Sequence, residues 1–311
     1  MFSKFFSSAA TAAVMVSTAA CAQQVPDWQA EVFDQLPQML EEGYIYEDVG
    51  LSLAQSVREM SDDFAHLETR REFISAVNHE LYALSNDAHL TLRYRPTAEV
   101  ENAEPRRRPS GCASGDITWR MEAGNIGYIS VPRIYGDEAY RAGFDAAMAE
   151  LGDADGIILD VRNNCGGEPR TLIHFASWFF AEPTHLTSTE GRDMPTRERW
   201  TSDNVAGEPY VDRPLVILTN QRSFSAAESF TFGMKISGRA TVIGEPTGGG
   251  GHWGEEMRLS DDLVVFMPQG RTFDPRTGHG WEAEGVQPDI ASSSDDALHA
   301  ALDYLEGLQP G

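Results

Sequence analysis

The chain has 311 residues, 41% of them hydrophobic and 23% charged, enough for one sizeable core with a smaller helical unit beside it. Its 48 acidic and 24 basic residues leave a formal net charge of -24, and such a surface repels phosphate backbones and anionic lipid heads, which excludes nucleic acid as a partner. Apart from the N-terminus, no stretch approaches the ~18 apolar residues of a membrane span.

Residues 1–22 read as a signal peptide: Lys4, an apolar run from Ala9 to Val16, then small residues. Two endings compete. Ala20-Cys21-Ala22 suits a signal peptidase and would free Gln23, whereas Thr18-Ala19-Ala20-Cys21 is a passable lipobox that would leave Cys21 lipidated. Either ending places the mature protein outside the cytoplasm, periplasmic or secreted, and soluble or tethered by lipid. Without Cys21, Cys112 and Cys165 remain, open to one disulfide or to two separate buried thiols.

Residues 27 to about 88 carry apolar side chains at helical spacing: Val32, Leu36, Leu40, then Leu53, Ala54, Val57, with breaks at Gly43 and Gly50. A helix over 69–84 places Phe73, Val77 and Leu81 on one face, and His89 follows it. The alternation Leu90, Leu92, Tyr94 predicts a strand. Residues 96–118, rich in proline and carrying Arg106 to Arg108, form a linker between a helical unit at 23–95 and an α/β unit at 119–295. In the second unit strands at 125–131, 156–161 and 215–219 alternate with helices at 137–151, 170–180 and 225–236. Further strands at 240–243, 256–259 and 263–267 are expected to complete one sheet, and 296–311 forms a C-terminal helix or tail.

Two segments could carry chemistry. Buried strand 215–219 leads through a polar turn to Ser225-Ala226-Ala227-Glu228 at a helix mouth, where free amides and the positive helix end favour an oxyanion. An ordinary helix-capping serine would look the same. Asp160-Val161-Arg162-Asn163-Asn164-Cys165-Gly166-Gly167 follows another buried strand, and its paired glycines allow amides to turn toward a ligand. The glycine run 248–251 lacks the Gly-Lys-Ser/Thr ending of a phosphate loop, and no His-Glu-x-x-His or similar spacing is present. Neither a metal nor a cofactor is expected.

With Gly127-Tyr128-Ile129, Gly244-Glu245-Pro246-Thr247-Gly248-Gly249, Trp281-Glu282, Gly285-Val286-Gln287-Pro288-Asp289 and Asp87-Ala88-His89, these segments resemble the tail-specific (C-terminal processing) protease superfamily, in its tricorn-core and interphotoreceptor-retinoid-binding-protein-like branch. The resemblance implies a crotonase/Clp-protease-like β/α spiral core behind the helical unit. It also implies Ser225 as nucleophile, with an oxyanion hole from Ala226 and either Gly166 or Gly167. Many relatives use a lysine base at the position of Gly250, which is glycine here. Lys4 leaves with the signal peptide, and Lys235 lies ten residues along the helix from Ser225, about 15 Å away. The histidine-and-glutamate variant of the family assigns His89 as general base and Glu282 as its orienter. His252 is the rival base with His279 behind it, Glu284 the alternative acid, and Glu228 a supporting carboxylate. No PDZ domain fits in 96–118. The implied activity is an exported serine peptidase acting on peptides or proteins. An ester or other acyl hydrolase on the same scaffold, or a non-catalytic binder of lipophilic ligands or peptides, is the alternative.

Overall fold

In the computed structural model, described for residues 27–95 and 111–309, three helices open the chain: α1 (Asp27–Gly43), α2 (Glu47–Glu59) and α3 (Arg70–Ser85). The signal-peptide segment with Cys21, and the arginine run 106–108, lie outside the described residues. The expected stripe is real: Val32, Leu36, Leu40, Leu53, Ala54, Val57, Phe73, Val77 and Leu81 all face one core. α3 is capped by Thr69, whose Oγ1 accepts the Glu72 N–H (3.3 Å) while its hydroxyl donates to Glu72 Oε2 (2.7 Å). It ends at Asn86, whose left-handed backbone (φ 53°) turns the chain out of the helix and delivers Asp87-Ala88-His89 to the site.

Strand β1 (Thr91–Tyr94) continues from His89. The rest of the chain forms β2 (Thr118–Glu122), β3 (Ile126–Ser130), α4 (Glu138–Leu151), β4 (Gly156–Asp160), α5 (Pro169–Ser177), β5 (His185–Gly191), β6 (Met194–Trp200), β7 (Leu215–Thr219), α6 (Ala226–Ile236), β8 (Thr241–Gly244), β9 (His252–Arg258), β10 (Leu263–Phe273), β11 (Ile290–Ala291) and α7 (Ala297–Leu308). Six strands make the main sheet in the order β11-β8-β7-β4-β3-β2, parallel except for antiparallel β2 at the edge. Alternate residues of its buried strands serve opposite faces. Ile157, Leu159, Leu215 and Ile217 pack with α4, α5 and α6, while Ile158, Val216 and Leu218 pack with Ala297, Ala301 and Leu305 of α7. The architecture is α/β, with the helical N-terminal unit the sequence predicts.

One expectation fails. β9 and β10 do not extend that sheet; they belong to a second one, β1-β10-β5-β6 with β9 on the other side of β10. The reason is burial. Leu259, Leu263, Val265 and Met267 complete the core of α1–α3 together with Leu90 and Leu92, so these strands are drawn to the helical unit. The β5–β6 hairpin is not predicted at all, because β6 is a mostly exposed polar edge strand that carries no apolar alternation.

Cys112 and Cys165 are joined as a disulfide, which settles the alternative left open by the sequence. It ties the end of the 96–118 segment to the turn that carries Gly166 and Gly167. The Ala113 N–H donates to Asn163 O (2.8 Å) beside it.

Candidate active site

Ser225 sits between β7 and α6 in a backbone conformation, φ 56° and ψ -115°, that non-glycine residues avoid. Such strain costs about 1–3 kcal/mol and persists only where the surroundings enforce it. Here they do. The Ser223 hydroxyl donates to Val161 O (2.8 Å), the Phe224 N–H donates to Asn164 O (2.9 Å), and the Ser225 N–H donates to Glu228 Oε2 (2.7 Å). The turn after β4 is pressed against the serine: a Cβ on Gly166 would stand 2.8 Å from Ala226 N and 2.9 Å from Ser225 Cβ. Gly166 (φ 87°) and Gly167 (φ 148°) both use backbone reserved for glycine. The Gly166 N–H is engaged by Asn164 Oδ1 (2.8 Å), whereas the amides of Ala226 and Gly167 donate to no described residue.

Glu228 is completely buried and fastens this region to the glycine run 248–251. Besides the Ser225 amide it accepts from Thr247 Oγ1 (2.6 Å), Gly249 N (2.7 Å) and Gly250 N (2.8 Å). Burial pushes its carboxyl above the usual carboxylate range, against the pull of these four bonds.

The same glycine run meets His89. A Cβ on Gly250 would lie 2.6 Å from His89 Cε1 and 2.5 Å from the Phe224 ring, so the imidazole occupies the space that a side chain at 250 would need. The ring is buried (4% exposed) between Phe224, at 4.6 Å, and Phe266, at 5.4 Å between centroids. Among the described residues neither of its nitrogens makes a hydrogen bond, and Nδ1 is fully enclosed. A ring nitrogen nevertheless lies within 4.8 Å of carboxylate oxygens of both Asp87 and Glu282.

Asp87 is the hub of the acid side. Its Oδ1 accepts the His89 N–H (2.9 Å), and its Oδ2 accepts the Tyr44 hydroxyl (3.1 Å) and lies 2.7 Å from His252 Nδ1. Burial is the largest single influence and raises its pKa, but the hydrogen bond and charge of His252 together with the His89 amide and ring outweigh it, and the net shift is downward. Glu282 Oε2 accepts the amides of Gly251 (2.6 Å) and His252 (2.7 Å), while its buried Oε1 has no partner. Burial, opposed by His252 and reinforced by Asp87, pushes Glu282 up to about 7. Burial pulls His89 down to about 4, with Asp87 opposing and Arg93 and His252 adding to the fall. At neutral pH the imidazole is therefore uncharged and able to accept a proton.

The structure thus gathers Ser225, Ala226, Gly166, Gly167 and Glu228 on one side and His89, Glu282 and His252 on the other, joined through Phe224 and the glycine run. No hydrogen bond joins the Ser225 hydroxyl to a described histidine. Glu284 is exposed and makes none of the Glu282 contacts, and His279 is exposed too. Lys235 is held at Gln287 O (2.8 Å) and Asp289 Oδ1 (2.6 Å). A cleft of about 510 Å³ beside the cluster is lined by Tyr46, His252, Arg271, His279, Glu282 and Glu284, and by neither Ser225 nor His89. Asp87 and Tyr44 carry no role in the sequence reading. The Asp-x-His spacing was the available signal, since an aspartate two residues before an amide forms an Asx turn; nothing local marks Tyr44.

Comparison with known proteins adds family to geometry. Residues 125–292, more than half of the chain, match Peptidase family S41. A carboxyl-terminal-processing protease from Synechocystis sp. is 32% identical over 195 residues, 59% of this chain but 44% of that protein, so the chain spans less than half the length of this relative. A crystal structure from Parabacteroides merdae superposes with a TM-score of 0.67 at 20% identity, covering 91% of this chain and 98% of that one. The tricorn protease gives 0.57 at 16% identity, over 90% of this chain and 36% of its own. These two likenesses speak to fold.

Proposed function

Because the chain belongs to peptidase family S41, we propose that it is an exported serine peptidase cleaving peptides or proteins through Ser225, His89 and Glu282. The site then lies where the helical unit, 23–95, meets the α/β unit, 119–295. The observation that carries the reading is the strained Ser225 at a helix mouth, packed through Phe224 against a neutral, buried His89 with Glu282 behind it.

In this mechanism His89 accepts the hydroxyl proton as Ser225 Oγ attacks the scissile carbonyl. Glu282 stabilises the imidazolium that forms. The tetrahedral oxyanion is held by the Ala226 and Gly167 amides, which are free to donate, whereas the Gly166 amide is occupied by Asn164. Collapse breaks the C–N bond, and His89 gives its proton to the departing amine. Water then attacks the acyl-enzyme, with His89 again accepting a proton, and Ser225 is released. The open distance between hydroxyl and imidazole closes on substrate binding, as catalytic hydrogen bonds often do. Tyr44 and His252, through Asp87, position the His89 backbone and take no part in proton transfer.

A fluorophosphonate probe tests the nucleophile: Ser225→Ala is expected to abolish labelling, and undiminished labelling would remove Ser225 from the mechanism. For the base, His89→Ala should lose turnover by about 10³-fold or more while His252→Ala retains a measurable fraction; the reverse order would transfer the role to His252.

The pH dependence follows from the two shifts. With His89 near 4 and Glu282 near 7, activity needs the carboxyl ionised, so kcat/KM should rise with pH through a limb near 7. Glu282→Gln should lower activity and remove that limb; if the limb persists, another group sets it. Stability carries opposite signs. His89 is depressed from 6.5, so its contribution is present above 6.5 and is lost as pH falls toward 4. Glu282 is raised from 4.5, so its contribution is present below 4.5 and is lost as pH rises through 7.

A further inference from the structure

We propose that Asp87, His89 and Glu282 form a zinc site whose occupancy switches the peptidase off; the inhibitory half rests on His89 being the base. One carboxylate oxygen of each acid and one ring nitrogen of His89 all lie within 4.8 Å of one another. Zinc with bonds of about 2.0–2.2 Å sets tetrahedral ligands roughly 3.4 Å apart, a contraction within reach of side-chain rotation.

The unmet valences point to a cation. His89 is 4% exposed, yet no described residue bonds to either ring nitrogen, and Nδ1 is sealed from solvent. The Glu282 Oε1 atom is likewise buried without a partner. Buried polar atoms are rarely left so, and an enclosed imidazole facing two acids is a ligand set that lacks its centre. The supporting shell is present. Backbone amides of Gly251 and His252 fix Glu282, and the Tyr44 hydroxyl, the His89 amide and His252 fix Asp87.

Imidazole with two carboxylates favours zinc over magnesium or calcium, which take oxygen. Two acidic ligands and one neutral one balance the ion's charge, and the fourth position is left for water. The bond uses the imidazole lone pair that would take the Ser225 proton, so metal binding and acyl transfer exclude each other. No bond of the protein is made or broken, and removing the ion restores the base.

The experiment titrates the full chain with ZnCl2 by calorimetry and by chelator competition, and follows fluorophosphonate labelling of Ser225 in parallel. One tight equivalent is expected, retained in Ser225→Ala and weakened by about 10- to 100-fold or more in His89→Gln and in Glu282→Gln. Labelling should fall in step with occupancy and return with EDTA, and MgCl2 at equal concentration should do neither. Should a variant fail to fold, the zinc K-edge spectrum of the parent protein must show imidazole nitrogen together with carboxylate oxygen; any other first shell overturns the site. Equal zinc binding by parent and His89→Gln also overturns it, and leaves the catalytic assignment to the labelling data. Zinc bound at these residues with labelling undiminished overturns the inhibitory proposal and faults His89 as base. Loss of activity in His89→Gln without zinc binding by the parent rejects the metal alone.

Discussion

Glu228→Ala is expected to lower the melting temperature by about 10 °C or to leave the protein insoluble, making it the most damaging single truncation in the site. The carboxylate is wholly enclosed and accepts from three backbone amides and a threonine hydroxyl. Deleting it strands four buried donors, each costing about 1–3 kcal/mol, and together these approach the 5–15 kcal/mol that holds a typical domain. The geometry of Ser225, the proposed nucleophile, depends on the same anchor, so activity should fall further than stability predicts. Glu228→Gln keeps one acceptor oxygen but adds an amide group with nothing to receive its hydrogens, and should fall between. A thermal scan decides: a Glu228→Ala shift under about 2 °C would mean that water replaces the carboxylate at little cost.

Gly166→Ala should cost kcat about 10²- to 10³-fold, the loss seen when an oxyanion donor is displaced. The new methyl would press on Ser225 Cβ and Ala226 N, both within 3 Å of its position. Positive φ adds a backbone penalty that must be separated from this effect. Gly238→Ala is the control, because Gly238 also has positive φ (73°) but a Cβ there meets nothing within 4 Å. Gly238→Ala should show the backbone penalty alone, Gly166→Ala should lose more stability because its methyl also clashes, and only Gly166→Ala should lose turnover. Equal kcat values for the two would show that the turn does not touch the reacting atoms.

The sequence is most legible where one residue type has one physical use. Apolar periodicity marks α1–α3, and unbroken apolar runs mark β4 and β7, because a strand covered on both faces has no polar side to show. Ser225 stands out because a small-residue helix mouth follows a buried strand. The other half of the site is silent locally. His89 and Glu282 are separated by nearly two hundred residues, and only the family resemblance suggests that they belong together. Asp87 draws in Tyr44 from the loop after α1 and His252 from the start of β9, a pairing that no spacing rule encodes. The second sheet escapes for a related reason. Strands β9 and β10 look alike in sequence whichever sheet they join, and the choice is made by a helical core elsewhere in the chain. Position 250 shows the converse. The absent lysine reads as a deficit in sequence, and the fold shows the histidine ring filling the room that a side chain would take.

The shared core of the first three helices has a consequence for how the protein is born. Their apolar stripes are completed by residues 259–267, which a ribosome releases long after residues 27–95. Until that late segment arrives, the helices can cover their stripes only against one another, and the loop that presents the His89 imidazole lacks part of its platform. On the proposed reading, the candidate site is assembled only once residues 27–95 have met residues 259–267, so hydrolytic competence would come late in the making of the chain.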